Sequence, residues 1–357
     1  MTTLSIKDSL RQSVEAASGG LQTVLYTAKG QPTYMNIVEK FDLSTIDSTL
    51  SGTHPAFIIN GVEKDKIFIG TYQGVVRNGE LLSLPNQAPN LLLAYDAAIA
   101  SARANGAGHH VITNAEWSAL ALTCLKNKTI PRGNSYYGRS VQDATQLGRR
   151  VDGLSATAGI TTGSPQVFTG SGPVSWRHNL KYNGISDLVG NGSEHILGVR
   201  LVNKEIQVIA NNDAAILSTD ISATSTSWKA IDAVTGALIT PDGNGTTANS
   251  IKFAYSGTDD YTIVRPNWAV FYKDFTNPSP TKPVSTVALN VLKALLLHPT
   301  ATDGYDNSTF GFSTNVAESL MSRGGGYSEG ASTGMFYNAL MSTRVSPRAT
   351  RPCYYTP

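Results

Sequence analysis

Few side chains of this sequence have the type and spacing that catalysis or metal binding requires. Cys124 and Cys353 are too far apart to form a CxxC zinc or redox motif. His109 and His110 are adjacent, so on a strand or helix their rings point in different directions, and joint metal binding is not expected. The sequence contains no nucleophile elbow, Walker loop or HExxH motif. It therefore predicts no catalytic residue, no cofactor and no metal.

Two further segments carry possible ligand atoms, and each has a simpler interpretation. Asp303, Asp306 and Asn307 offer oxygen atoms close together, but their spacing does not match a calcium loop. A solvated turn is favoured over a weak calcium site. The glycines at 324–326 do not complete a GxGxxG motif between a strand and a helix, which argues against phosphate binding.

The most reactive and the largest side chains are assigned to the interior. Arg351 could lower the pKa of the Cys353 thiol and make it a nucleophile. A small buried side chain beside Tyr354 and Tyr355 is favoured instead. The tryptophans are likewise expected in the core rather than at a ligand: Trp117, Trp176, Trp228 and Trp268.

Residues 323–355, here called the terminal block, have the composition of a recognition surface. Glycines allow tight turns, and Phe336 and Leu340 can anchor the segment. Tyrosine supplies rigid contact area, while serine, threonine and asparagine supply adaptable hydrogen bonds. An ordinary glycine-rich loop has the same composition, so both interpretations stay open at this point. The polar residues are Tyr327, Ser328, Ser332, Thr333, Tyr337, Asn338, Ser342, Thr343 and Ser346.

Composition and charge limit the class of protein. The chain has 357 residues, 41% hydrophobic and 15% charged, with a net charge of +2. This hydrophobic fraction suffices for a core, and the low charge excludes disordered and coiled-coil classes. So small a net charge does not favour nucleic-acid binding. The first residues do not resemble a signal peptide, and no apolar run is long enough to cross a membrane.

Short strands and a few helices must position these residues. The Asn60-Gly61 and Asn78-Gly79 pairs favour type I′ turns in an antiparallel meander over 56–84. Thr113 and Glu116 form a capping box that starts a helix. The other predicted helices are 4–17, 90–104 and 285–297, and the other predicted strands are 24–26, 34–38, 196–199 and 206–209.

The order of short motifs resembles a known family. FIIN and IFIG are followed by YDAAIASAR, TNAEWSALAL, NLKYNGISDLVGN and finally RGGGY, GMFY and RP. This order resembles C-type-lectin-fold proteins of the formylglycine-generating-enzyme branch. It is most similar to phage tropism determinants and the variable proteins of diversity-generating retroelements. The resemblance covers about residues 55–357 and leaves the long insertions unmatched.

The resemblance implies roles for individual residues. Scaffold roles fall on Thr113, Glu116, Trp117, Asp187, Asn191, Arg323, Gly324, Gly325, Phe336 and Arg351. Exposed ligand-binding roles fall on Tyr327, Ser328, Glu329, Ser332, Thr333, Tyr337, Asn338, Ser342, Ser346 and Arg348. The enzyme branch holds copper with two cysteines late in the chain, and only Cys353 stands there. The resemblance therefore implies a protein that is not an enzyme.

The implied fold is α+β and C-type-lectin-like, with short antiparallel strands, two to three helices and long Gly/Ser/Thr-rich loops. A small module at 1–50 would attach or oligomerise the chain, and a ligand-binding domain would span 51–357 with insertions at 126–175 and 218–260. The implied function is receptor binding at a phage tail-fibre tip. The chain would be a homotrimer in the virion, made in the host cytoplasm. It would contact a host-surface glycan or protein, and other tail proteins through its N-terminus. A formylglycine-generating type of enzyme and a structural virion protein without a receptor are the alternatives.

Overall fold

The computed structural model describes residues 4–266, 274–314 and 316–357, with side chains described from residue 9 onward. Trp268, which was expected in the core, lies outside these residues. The described chain is mixed α+β. Its helices are α1 (Leu4–Ser18), α2 (Tyr95–Arg103), α3 (Asn114–Asn127) and α4 (Thr286–Ala294). Its strands are β1 (Gln22–Tyr26), β2 (Pro32–Glu39), β3 (Ile58–Ile59), β4 (Val62–Glu63), β5 (Lys66–Gly70), β6 (Gly74–Arg77), β7 (Glu80–Ser83), β8 (His109–Val111), β9 (Glu194–Val202), β10 (Glu205–Val208), β11 (Lys229–Ile231), β12 (Leu238–Ile239), β13 (Lys252–Ala254), β14 (Thr262–Val264), β15 (Phe310–Phe312), β16 (Ser319–Arg323), β17 (Asn338–Ser342) and β18 (Pro352–Tyr354).

One sheet joins the two ends of the chain. Its five strands lie in the order β1-β2-β5-β18-β8, all antiparallel. Met35 to Glu39 of β2 pair with β5, and Cys353 of β18 pairs with Ile69 on the other edge of β5. The predicted boundary at residue 50 is therefore not a structural division, because strands on both sides of it share a sheet. Among the described residues before position 50, only α1 lies outside the sheet and its connections.

A second sheet carries the terminal block. Its nine strands include the path β12-β11-β10-β9-β16-β17-β15, and β13 and β14 extend from β10. Strands β11, β12 and β13 come from 218–260, the second predicted insertion. β11 and β13 pair with β10, and β12 pairs with β11, so this segment contributes regular strands to the second sheet. The segment 126–175 does have little regular structure, as predicted.

Local signals place several elements correctly. Asn60 and Gly61 have φ of 52° and 72°, and Asn78 and Gly79 have φ of 51° and 80°. Each pair closes a two-stranded hairpin with the backbone of a type I′ turn. The continuous meander was wrong, however, because β5 between the hairpins pairs with β2 and β18 instead.

Capping residues mark the starts of helices α3 and α4. Thr113 and Glu116 make the predicted capping box at the start of α3, and the Ser285 side chain accepts from Ala288 N at the start of α4. Helix α2 begins at Tyr95 rather than at residue 90, because Leu93 pairs through its backbone with Arg348. Among the described residues, no helix has the length and apolar character that crossing a membrane requires.

The sheets and helices enclose a large hydrophobic core. It draws on nearly every element, from Phe57 and Ile69 to Leu297 and Leu340. Trp117, Trp176 and Trp228 are all buried, as the sequence predicted. The packed interior fixes the positions at which the terminal block enters and leaves the second sheet.

A candidate ligand-binding pocket in the terminal block

The terminal block begins on a buried arginine. Arg323 at the end of β16 is fully buried, and its Nη2 donates to Asn114 Oδ1 at 2.8 Å and to Leu296 O at 3.2 Å. Burial lowers the pKa of Arg323 to about 9. The chain then turns at Gly324, where φ is +85° and an added Cβ would lie 2.6 Å from Leu188 O. Arg323 and Gly324 thus fix where the following loop starts.

Near its end, the terminal block is held by a buried ion pair between Arg351 and Glu194. Arg351 Nη2 donates to Glu194 Oε1 at 2.7 Å, and the other guanidinium nitrogens donate to Glu194 Oε2 and Gly70 O. Gln73 Nε2 donates to Glu194 Oε1 at 3.1 Å. Burial raises the pKa of Glu194, and the charge of Arg351 opposes that rise. The carboxylate and the guanidinium are both enclosed by protein partners.

Between these two arginines the block forms a pocket of about 270 Å³. Its walls come from the turn after Gly326, from Tyr337, from the 347–349 segment and from residues 91–92 before α2. The pocket brings together five of the ten predicted ligand-binding residues: Tyr327, Ser328, Glu329, Tyr337 and Arg348.

Two of these side chains set the polarity of the pocket. Tyr337 is only 8% exposed, and burial and the neighbouring Glu329 carboxylate raise its pKa, so its hydroxyl stays neutral. Arg348 Nη1 donates to Pro347 O at 2.9 Å, and its Nε is shielded from solvent without a partner. The pocket therefore offers a neutral hydroxyl and a guanidinium with unused donors.

Apolar side chains project beside the pocket. Leu92, which lines it, is 82% exposed, and Val345 in the preceding turn of the terminal block is 81% exposed. Backbone bonds between Leu93 and Arg348 hold the two segments together, with N···O distances of 3.2 and 3.0 Å. Leu92 and Val345 thus add exposed apolar surface next to the residues that line the pocket.

The segment 126–175 also supports the pocket, which the sequence did not predict. Tyr137 N donates to Tyr327 O at 2.7 Å, and the two rings lie 6.2 Å apart edge to face. Tyr136 packs on Tyr137 at 5.1 Å. The adjacent tyrosines in a Gly/Ser-rich segment were the available signal, but only the fold brings them to Tyr327.

Three predicted ligand-binding residues are out of reach of a ligand. Thr333 is buried and its Oγ1 donates to Gly326 O at 3.2 Å. Asn338 and Ser342 are buried on β17, which lies between β15 and β16. The expectation of exposure was wrong for Asn338 and Ser342, because alternate positions of a strand face the interior. It was wrong for Thr333, because this residue follows the 3₁₀ helix and bonds back to the turn at Gly326.

Two more of the ten lie outside the pocket. Ser332 is half-buried at the end of a one-turn 3₁₀ helix. Ser346 is half-buried, and its Oγ accepts from Thr343 N at 2.9 Å, which closes the turn before Arg348. They support the loops that form the walls.

The predicted scaffold residues are all buried, and several join distant segments. Asp187 Oδ2 accepts from Gly170 N at 2.7 Å. Asn191 accepts from Val167 N and from Asn134 Nδ2, at 2.8 and 3.1 Å. Trp117 Nε1 donates to Met335 O at 3.1 Å, directly before Phe336. The full set is Thr113, Glu116, Trp117, Asp187, Asn191, Arg323, Gly324, Gly325, Phe336 and Arg351.

One cluster in the interior has the side-chain types of a metal site. The ligand atoms of His110, Glu116 and Cys353 lie within 4.8 Å of one another. His110 Nε2 lies 2.8 Å from Glu116 Oε1, and its Nδ1 lies 2.9 Å from Gly108 O, so both ring nitrogens already have partners. Burial raises the pKa of the Cys353 thiol well above its usual value, whereas a metal binds the thiolate. The cluster fits hydrogen-bonded support for the start of α3 better than metal binding.

The remaining predicted sites also have structural partners. His109 packs on Tyr354 at 4.9 Å. Asp306, expected in a solvated turn, is half-buried, and its Oδ2 accepts from Met335 N at 2.7 Å. Its carboxylate thus holds the terminal block rather than facing solvent. No protein-family model and no curated protein matches this chain.

Proposed function

We propose that this chain is a receptor-binding protein of a phage tail-fibre tip, which presents the pocket of the terminal block to a ligand on the host surface. The observation that carries the proposal is the convergence of Tyr327, Ser328, Glu329, Tyr337 and Arg348 on one pocket beside exposed Leu92. Tyrosine, serine and arginine around a concave site are the residue types of protein recognition surfaces.

The proposed fold is C-type-lectin-like, of the branch that contains phage tropism determinants and retroelement variable proteins. The mixed α+β architecture supports it, as does the burial of the residues that match the scaffold motifs. In this proposal the buried residues keep the block in place while the residues between them contact the ligand.

Helix α1 is proposed to attach the chain to other tail proteins and to form a homotrimer. Its residues 9–17 are exposed or half-buried, and the apolar Leu10 and Val14 lie one turn apart. Three pockets on one trimer would multiply weak single contacts by avidity. Mass photometry of the full chain tests this: the proposal expects three times the 37.9 kDa chain mass, and a monomer would contradict it.

Adsorption of virions to host cells tests the receptor role. Virions that carry Tyr327→Ala with Arg348→Gln should adsorb at least about tenfold more slowly, because both side chains line the pocket. Tyr182→Ala is the matched control, since Tyr182 is 85% exposed and lies outside the terminal block. Unchanged adsorption of the double variant, with an intact fold, would refute the site.

The enzyme alternative fits the cysteines poorly. Burial raises the pKa of the Cys124 thiol to about 12 and that of Cys353 well above its usual value, so both are protonated thiols at neutral pH. The proposal is therefore a protein that is not an enzyme. Copper binding that is lost in Cys353→Ser would favour the enzyme instead. A structural virion protein without a receptor would show no cell-surface binding in the adsorption assay.

A further inference from the structure

We infer that the pocket takes an acidic saccharide, a sugar that carries a carboxylate or a phosphate, and that Arg348 binds its anionic group. This inference rests on the receptor-binding function proposed above and names the chemistry of its ligand. It is carried by the unused donors of Arg348 and by the other groups that line the same pocket.

Arg348 makes little use of its hydrogen-bonding capacity within the protein. One nitrogen, Nη1, donates to Pro347 O at 2.9 Å, while Nε has no partner. Among the described residues, no carboxylate forms a salt bridge with Arg348. A shielded N–H without an acceptor costs free energy that a ligand oxygen can recover. Nε and Nη2 lie on the same edge of a guanidinium, and that fork matches carboxylate and phosphate groups.

Two other arginines of the terminal block, Arg344 and Arg351, have protein carboxylates in this role. Arg344 Nε donates to Glu318 Oε2 at 2.9 Å, and its Nη1 donates to Asp96 Oδ1 at 3.1 Å. Arg351 pairs with Glu194 at 2.7 Å. Arg348 differs from both in that its charge lines a pocket and is not neutralised by a neighbour. In this inference an external anion supplies the negative charge and acceptor oxygens that Glu318 supplies to Arg344 and Glu194 supplies to Arg351.

The rest of the pocket suits the hydroxyl groups and the ring of a sugar. Glu329 is exposed and forms no salt bridge with Arg348. Its carboxylate has a side-chain hydrogen bond with Tyr337, and its remaining lone pairs are available to accept hydrogen bonds from hydroxyls of a sugar. Because Glu329 repels an anion, it directs the acidic group of the ligand toward Arg348. Tyr327 and Tyr337 supply aromatic surface and a hydroxyl between these two ends.

The size of the pocket favours one sugar ring over a peptide segment. Its 270 Å³ lies just below the range of about 300–1,000 Å³ that is usual for pockets of drug-sized ligands. A peptide would need an extended groove or a free sheet edge, whereas β17 is paired on both sides by β15 and β16. The pocket therefore fits the end or one unit of a charged glycan.

Three sugars that share a ring and differ in charge test the inference. The full chain is titrated with glucose, glucuronic acid and glucose 6-phosphate by ligand-observed NMR at low ionic strength. At least one acidic sugar is expected to bind about tenfold or more tightly than glucose, and the advantage should shrink as salt is added. Comparing the two acids tells a carboxylate ligand from a phosphate ligand.

Variants assign the effect to Arg348. Arg348→Gln should remove the advantage of the acidic sugar, and Arg348→Lys should keep only part of it, because lysine retains the charge but not the fork. Arg77→Gln is the control, since Arg77 is an exposed arginine on β6 that does not line the pocket, and the charge change is the same.

The outcomes separate this inference from the proposed function. If glucose binds as tightly as both acids, or if Arg348→Gln changes nothing, the anionic ligand is refuted while receptor binding stands. If no sugar binds but Tyr327→Ala with Arg348→Gln still slows adsorption, the ligand is not an acidic saccharide, and the receptor role survives. If adsorption is unchanged as well, both proposals fail.

Discussion

Two regions of the terminal block use the same kind of side chain in opposite ways. In the inner region, Arg351 is enclosed by Glu194, Gly70 O and Ser186 O, and each of its nitrogens has an acceptor. In the pocket, Arg348 has one backbone acceptor and faces a cavity. The inner arginine stabilises the fold, and the outer one is available to a ligand. The two residues are of the same type, so it is their hydrogen-bond partners that determine whether an arginine stabilises the fold or can bind a ligand.

The largest loss of stability is expected from removing the inner ion pair. Arg351→Met should lower the free energy of unfolding by about 3–5 kcal/mol, because it leaves the Glu194 carboxylate buried without its partner. Urea denaturation followed by circular dichroism measures this loss. The double variant with Glu194→Gln should recover part of it. A loss below about 1 kcal/mol would show that the pair does not hold the block.

The second largest effect is expected at the turn into the pocket. Gly324→Ala should cost about 1–3 kcal/mol, because φ is +85° and the added Cβ would meet Leu188 O at 2.6 Å. Gly330→Ala is the matched control, since its φ is also positive, at +61°, but nothing lies within 4 Å of the added Cβ. In thermal unfolding, the melting temperature of Gly324→Ala should be lower than that of Gly330→Ala. Equal melting temperatures would contradict the close approach.

Acid should weaken the inner region. Burial lowers the pKa of His195 to about 4, below the value near 6.5 of an unfolded histidine. The unfolded chain therefore binds the proton first, and this contribution to stability, complete above pH 6.5, is lost as the pH falls toward 4. The loss should reach roughly 1–2 kcal/mol by pH 5, partly offset by the raised pKa of Glu194, which acts in the opposite sense. Unfolding midpoints of wild type and His195→Gln across pH 4–8 measure it. If the midpoints of wild type and His195→Gln change with pH in parallel, the His195 ring is not held neutral by burial.

The smallest effect on stability is expected in the pocket itself. Arg348→Gln and Tyr327→Ala should each change the free energy of unfolding by less than about 1 kcal/mol, because neither side chain is enclosed by the core. The same two changes should have the largest effect on host binding. A loss of stability comparable to that of Arg351→Met would erase the distinction between the regions.

Local signals in the sequence predicted the parts of this fold that depend on neighbours in the chain. The Asn-Gly hairpins and the Thr113–Glu116 capping box are set within four residues, so their chemistry suffices to place them. The pairing of β18 with β5 and of β11 with β10 joins distant segments, and no local pattern specifies such pairing. That is why the sequence did not indicate that strands before residue 50 share a sheet with the C-terminal strand, or that 218–260 adds strands to the second sheet.

The same limit applies to the candidate site. Its residue types were visible as a run of Tyr, Ser, Asn and Gly, and five of the ten predicted residues line one pocket. Which of them face outward depends on the register of β17, which buries Asn338 and Ser342. The approach of Tyr137 to Tyr327 depends on a contact between segments nearly two hundred positions apart. The composition of the sequence therefore indicated the terminal block as the candidate region. The packing of the folded chain decides which of its side chains a ligand can reach.

We propose that the pocket binds a host ligand while the inner region stabilises the fold. The most direct test measures two quantities on one protein, the full chain with Tyr327→Ala and Arg348→Gln. These are its binding to host cells as a fluorescent conjugate and its melting temperature, each compared with Tyr182→Ala. Cell binding is expected to fall at least about tenfold, while the melting temperature stays within a few degrees of the control. Cell binding equal to that of Tyr182→Ala would contradict it.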